Sequence, residues 1–277
     1  RRFNPDNFAR GLLLFALGLA KKAVLADSLA EISDAGFRQP GSAGFADAWL
    51  IALAYTLQLY FDFSGYTDMA LGMSRMLNIR LPVNFDSPYR ATNIQDFWRR
   101  WHITLSRFLR QYLYLPLGGN RGGALVTARN LLLTFLLGGL WHGAGWTFIA
   151  WGALHGAAMV VHRAWCALKK PLPAWLAWLT TFVFVLVAWV FFRAASLADA
   201  LALLGDMAGV RGFAAPATGL MSVLLIGLAF WLALSRVNTN ALVEKPLTRG
   251  NAAMAIVALV AGLLSLGQTS PFIYFNF

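Results

Sequence analysis

Apolar residues in this chain gather into long runs separated by short basic segments. Gly11 to Ala26 is apolar except for Lys21-Lys22, which predicts a short or tilted helix with its lysines near an interface. Phe45 to Tyr60 predicts a second helix. Phe61 to Arg129 is polar and irregular, punctuated by Pro82, Pro88 and Pro116. Asn130 to His162, Pro173 to Phe192, Gly219 to Leu234 and Ala252 to Leu266 complete the pattern. Several of these runs approach the ~20 residues that cross ~30 Å of hydrocarbon. No repeat or low-complexity linker interrupts them, so residues 1–277 are expected to form a single transmembrane domain. The predicted class is all-α and polytopic.

Two segments depart from simple spans. Asn130 to His162 runs 33 residues without a carboxylate, lysine or arginine. One helix of that length would be ~50 Å long, too long for an ordinary crossing. The glycines at 138, 139, 143 and 145 predict a reversal, hence a re-entrant or broken helical segment with His142 inside it at membrane depth. Non-helical backbone there must line a cavity or be covered by protein. Ionisable groups at that depth are functional hypotheses by default. The second segment follows Thr92, which has capping-box spacing to Gln95, with Asn93 as the alternative cap. At ~100° per residue, Phe97, Trp98, Trp101, His102, Leu105, Phe108, Leu109 and Tyr112 share one arc of about 140°. Arg99, Arg100, Arg107 and Arg110 take the other, which predicts an interfacial amphipathic helix whose arginines meet lipid phosphates or a ligand.

Composition supports a membrane protein. The chain is 58% hydrophobic with mean hydropathy +0.59. Its net charge of +11 comes from basic residues spread between the apolar runs. No nucleic-acid recognition motif accompanies them, and loops with Lys/Arg excess orient a membrane protein with those loops inside. Ser74 to Arg129 holds nine arginines against two aspartates. Residues 61–129, 163–173 and 235–251 are therefore expected in the cytoplasm and 193–216 outside. Cys166 is the one cysteine, which excludes an internal disulfide. Arg1 stands where an initiator Met would, and no signal sequence precedes the first run, so an internal start of a longer protein is expected.

Familiar chemistries are excluded in turn. His102, His142, His155 and His162 with a single cysteine lack zinc spacing, and no metal is expected. Gly118 to Gly123 is glycine-rich without the Walker lysine and reads as a turn. No Gly-x-Ser-x-Gly elbow is present. His142 remains, either as a general base for an alcohol attacking an acyl group or as a buried histidine bonded to a backbone carbonyl. His102 is equally balanced between a structural and a site role. Trp141 and Trp146 read as packing or interface residues.

Five ordered motifs carry a resemblance: Phe61-Asp62-Phe63-Ser64-Gly65-Tyr66-Thr67-Asp68-Met69-Ala70, Asn84-Phe85, Phe97 to Ser106, Tyr112 to Asn120, and Leu140-Trp141-His142-Gly143-Ala144. Together they resemble the membrane-bound O-acyltransferase family, and within it the alginate-type members that acetylate polysaccharides. The aromatic ending Pro271 to Phe277 is similar to theirs. Family members usually carry further N-terminal spans. The resemblance implies a bacterial inner-membrane, multi-pass acetyltransferase with His142 as the essential histidine and His102 as the second. It implies an acetyl thioester donor, acetyl-coenzyme A or an acyl-carrier phosphopantetheine, with no bound cofactor. The implied partners are membrane lipid, the donor, and an exported polysaccharide or a periplasmic relay protein; D-alanyl or peptidoglycan acyl transfer are the alternatives. Outside the family, a proton-relaying transporter and a non-catalytic scaffold are the rival classes. Trp98, Arg99, Arg100 and Asn120 are assigned to the substrate side. Asp62 and Ser64, with Asp68, are placed at the end of a span, either contacting the acceptor or forming a turn that caps the next helix.

Overall fold

The computed structural model describes residues 3–213 and 216–268, all helical or irregular, with no strand among them. The similarity at 271–277 lies outside the described residues. The described chain forms two compact units, built from alternating segments.

The first unit takes 1–34, 54–87 and 219–277. Helix α1 (Pro5–Ala20) starts where the Asn4 side chain accepts from the Asn7 N–H, with Pro5 in the first turn. A wide π turn at Lys21–Ala26 leads into α2 (Asp27–Arg38). Helix α3 (Phe45–Met76) contributes its later part to this unit. Its glycines explain how closely it lies on α1. A Cβ on Gly11 would stand 2.6 Å from the Gly72 carbonyl oxygen and one on Gly18 2.7 Å from that of Gly65, and the reciprocal additions clash equally. Seven-residue spacing on both helices makes this a small-residue interface, which membrane helices use for van der Waals packing.

Buried charges complete the first unit, and they correct the expectation for Asp62, Ser64 and Asp68. The turn and helix cap expected there are absent; α3 runs straight through these residues to Met76. The reason is pairing across helices. Lys22 Nζ lies 2.8 Å from Asp62 and 2.7 Å from Asp27. Lys21 Nζ lies 2.7 Å from Asp68, and both bond to the Thr239 hydroxyl. An ammonium opposite each carboxylate offsets part of the desolvation cost of burying these charges.

The second unit takes 35–53 and 88–218. After the α3 start come α4 (Ile94–Arg100) and α5 (Ile103–Leu109). Asn93, not Thr92, caps α4, accepting from the Asp96 N–H at 2.8 Å. The predicted single amphipathic helix is broken between them, because His102 adopts φ 41°, ψ 58°. The first half of its apolar face packs on protein, with Phe97, Trp98 and Trp101 1%, 7% and 2% exposed and α4 against α7 (Trp146–Ala167), whereas Phe108 and Tyr112 beyond the break are exposed. Beyond α5, a turn of positive-φ glycines at 118, 119, 122 and 123 starts α6 (Gly123–His142). The Asn130 amide bonds to the Gly119 carbonyl and pins that turn.

Helices α6 and α7 form a hairpin that reverses at Gly143 to Gly145. Each has at least 20 residues, about 30 Å of helix, so the break lies between two full-length helices. Helix α8 (Ala174–Arg193) packs on α7, and α9 (Leu197–Met207) on α8. The stretch expected as an outer loop thus contains a helix, capped by Ser196. In the first unit α10 (Leu220–Ala233), α11 (Thr239–Glu244) and α12 (Arg249–Leu264) follow, with α12 and α11 against α1. Among the described helices, α6 and α8 are long and apolar enough to cross a membrane.

Candidate active site

His142 is the last residue of α6 and 7% exposed. Aromatic rings enclose it, with centroids of Trp141, Phe192 and Trp151 at 5.0, 5.1 and 5.2 Å and near-perpendicular planes. Local sequence makes this possible. Gly139 lets α7 approach, since a Cβ there would meet the Phe148 carbonyl, and Gly152 plays the same part toward the Phe135 carbonyl. Gly143 makes room for the Phe148 ring, which a Cβ would meet at 2.5 Å. An imidazole held among rings has few waters to compete with an incoming hydroxyl, which suits a general base.

His102 is close enough to His142 that a proton on one would disfavour a proton on the other. It sits at the left-handed break between α4 and α5, a conformation rare outside glycine and asparagine and costing about 1–3 kcal/mol. Burial holds its imidazole down to about 4, so it is neutral at pH 7. Backbone and side chain can be separated here. His102→Gly and His102→Asn relieve the strain that His102→Ala keeps, so His102→Asn should melt above His102→Ala in detergent, and His102→Gly no lower than it. If the imidazole serves the reaction, all three lose transfer together; full activity in His102→Asn would remove His102 from the site.

A cavity of about 540 Å3 opens beside the hairpin. Arg99, Arg110 and Arg163 line it, with Trp98 and Phe135 on the apolar side and Thr134 of α6 beside them, and no carboxylate lies among its described lining residues. Asn120 stands at its wall, where its carbonyl oxygen accepts from the Tyr114 hydroxyl and the Arg163 guanidinium, holding that arginine in place. Thr134 and His142 lie eight residues apart on α6, about 12 Å along the axis.

Of the residues singled out from sequence, Trp98, Arg99 and Asn120 gather at this cavity. Arg100 does not; its Nε lies 3.0 Å from both oxygens of Asp96, one turn earlier, and it is not among the lining residues. Asp62 and Ser64 belong to the first unit, Asp62 bonded to Lys22, Ser64 buried with its hydroxyl unbonded among the described residues. Sequence patterning does not reveal His155 as a partner of this region. It is fully buried, and its Nδ1 accepts the Trp98 indole N–H at 3.2 Å, which leaves the neutral ring's proton on Nε2. Its neighbours Gly152 and Gly156 on α7 were the available signal, since they mark the helix face that contacts α6. Among the described residues no His/Cys/Asp/Glu group is placed to hold a metal ion.

The model of the membrane-bound O-acyltransferase (MBOAT) family matches residues 1–198. A peptidoglycan O-acetyltransferase of Helicobacter pylori is 58% identical over 213 residues, covering 76% of this chain and 40% of that protein. A probable alginate O-acetylase AlgI of Azotobacter vinelandii is 54% identical over 200 residues, 71% of this chain and 40% of its own length. A teichoic acid D-alanyltransferase of Bacillus subtilis is 34% identical over 151 residues, 49% of this chain and 38% of the relative. The chain spans about two-fifths of the length of these relatives.

Proposed function

Because the chain belongs to the membrane-bound O-acyltransferase family, we propose that it forms the histidine-bearing part of an acetyltransferase of the bacterial inner membrane. The reaction moves an acetyl group from a thioester to a hydroxyl of an exported polysaccharide or of a protein that relays it outward. The observation that carries this reading is the hairpin itself. It sets an enclosed imidazole at one end, about 12 Å along α6 from an arginine-lined, carboxylate-free cavity.

The cavity suits the donor. Coenzyme A and phosphopantetheine both present phosphates, and guanidinium groups bind phosphate through short charge-assisted bonds. Arg99, Arg110 and Arg163 supply that charge. Read as membrane helices, α6 crosses and α7 returns, with exposed Leu133, Leu137 and Leu140 toward lipid. The arginine-rich end then faces the cytoplasm and His142 lies toward the other side. His142 takes the proton of the acceptor hydroxyl, and the oxygen attacks the thioester carbonyl carbon. The C–S bond breaks, and the leaving thiolate recovers the proton from the imidazolium.

Two results test the reading. Membranes carrying the protein and supplied with a labelled acetyl thioester should label the glycan or a partner protein; no ester-linked label in either would reject it. Arg99→Ala and Arg163→Ala should each raise donor KM about ten-fold or more, the worth of a bond to a charged group at about 1.5–3 kcal/mol, with kcat less affected. Unchanged KM in both variants would place the donor elsewhere. The Bacillus subtilis relative's name makes D-alanyl transfer the second reading. It is distinguished by whether alanyl or acetyl esters depend on His142.

A further inference from the structure

Helix α7 places His155 one turn beyond Trp151, so the two rings share a face of the helix. Trp151 stands edge-on to His142, with ring centroids 5.2 Å apart. His155 stands edge-on to Trp98 of α4 at 5.1 Å, and its Nδ1 accepts the indole N–H. Trp98 lines the cavity together with its neighbour in the chain, Arg99. Phe97, Phe135 and Trp151 pack around the rest of that indole. Such apolar contacts are not directional, so they fill space without fixing which edge of the ring points where. The bond to His155 is directional, and it aims the N–H edge at α7.

Stability alone does not call for this pair. With Nδ1 accepting, the proton of the fully buried His155 ring sits on Nε2, which has no hydrogen-bond partner among the described residues. An unpaired buried N–H is unfavourable. Two apolar rings of the same shape would avoid it, since replacing both partners of a buried bond is close to neutral. What the imidazole adds is a fixed orientation for Trp98.

We propose that His155 is a positioning residue for donor binding, orienting the Trp98 indole and, through α4, the Arg99 guanidinium at the cavity wall. The inference rests on the acyl-transfer reading. Consecutive helical residues are set about 100° apart, so a rotation of α4 that swings Trp98 carries Arg99 with it. His155 itself is not among the lining residues, so it acts through Trp98.

The experiment reads donor KM and kcat in membranes carrying the protein. Labelled acetyl-coenzyme A and an acetylated phosphopantetheinyl carrier protein are the probes. His155→Phe keeps a ring against Trp151 and removes the acceptor. Donor KM should rise on the order of five-fold or more, the worth of one neutral hydrogen bond, with kcat less affected. His155→Gln, whose amide reaches the Nε2 position rather than Nδ1, should raise KM likewise, and it covers the case in which the Phe variant fails to accumulate. His155→Asn sets its amide oxygen where Nδ1 stands. It leaves a void and should melt below the wild type, yet keep KM near the wild-type value. A purely structural histidine would instead lose KM in step with stability in all three variants. In a Trp98→Phe protein, His155→Phe should add nothing to KM, because the N–H it would orphan is gone. KM unchanged in the Phe and Gln variants, KM raised as far by Asn as by Phe, or an undiminished effect in the Trp98→Phe protein would overturn the role while leaving acyl transfer standing. If the wild type transfers acetyl from neither carrier, the underlying reading fails and the positioning role with it.

Discussion

His142→Gln and His142→Ala are expected to lose acetyl transfer to the glycan by about 10²–10⁴-fold while the protein still accumulates in the membrane. General-base catalysis is worth that much, and no other imidazole ends α6 to take over. Gln keeps most of the ring volume and can hydrogen-bond, so it separates chemistry from packing. Ala removes a side chain enclosed by Trp141, Trp151 and Phe192, and part of its effect would be a cavity cost. Ester-linked acetate released from purified polysaccharide by mild base, normalised to protein in the membrane, is the measurement. Wild-type acetate in His142→Gln at normal protein level would sink the catalytic assignment.

Gly139→Val and Gly152→Val are expected to destabilise the hairpin more than any surface change, by at least the ~1–3 kcal/mol of an overpacked core. Both added side chains drive into main chain of the facing helix, the carbonyls of Phe148 and Phe135, and backbone cannot rotate away as a side chain can. The two helices must separate, and separation dismantles the wall around His142. Thermal unfolding in detergent, followed by size-exclusion monodispersity, should show both variants melting well below the wild type or failing to accumulate. Gly138→Ala, one residue away, is the internal control: its Cβ stands in ordinary contact with Leu109, and its melting temperature should stay near wild type. Equal losses at 138 and 139 would mean that the close approach of α6 and α7 is not what the glycines serve.

Much of the helical pattern is legible in the order of apolar residues alone. Runs at 11–26, 130–162 and 173–192 become α1, the α6–α7 hairpin and α8, and the glycines around His142 mark the reversal. The turn at 118–123 and a cap at Asn93 or Thr92 are equally local, depending on residues a few positions apart. Where local pattern misleads, the deciding group comes from far along the chain. Asp62 and Asp68 look like a turn capping the next helix until Lys22 and Lys21, from another segment, are set against them. Arg99 and Arg100 look alike on a helical wheel; Asp96 engages Arg100, and Arg99 lines the cavity.

Periodicity shows that Phe97, Trp98 and Trp101 share a face. It does not show that α7 and α8, rather than lipid, cover that face, or that His155 accepts the Trp98 N–H. Four glycines near His142 are interchangeable as letters, and only the distance of an absent Cβ to its neighbours separates 138 from 139. Helical segments, and the histidine standing in an uncharged run, can be read from residue order because hydrophobic spacing and turn chemistry act over a few positions. Which charges are neutralised, which aromatic face is covered and where space remains are settled only on folding, because each depends on a partner distant in the chain.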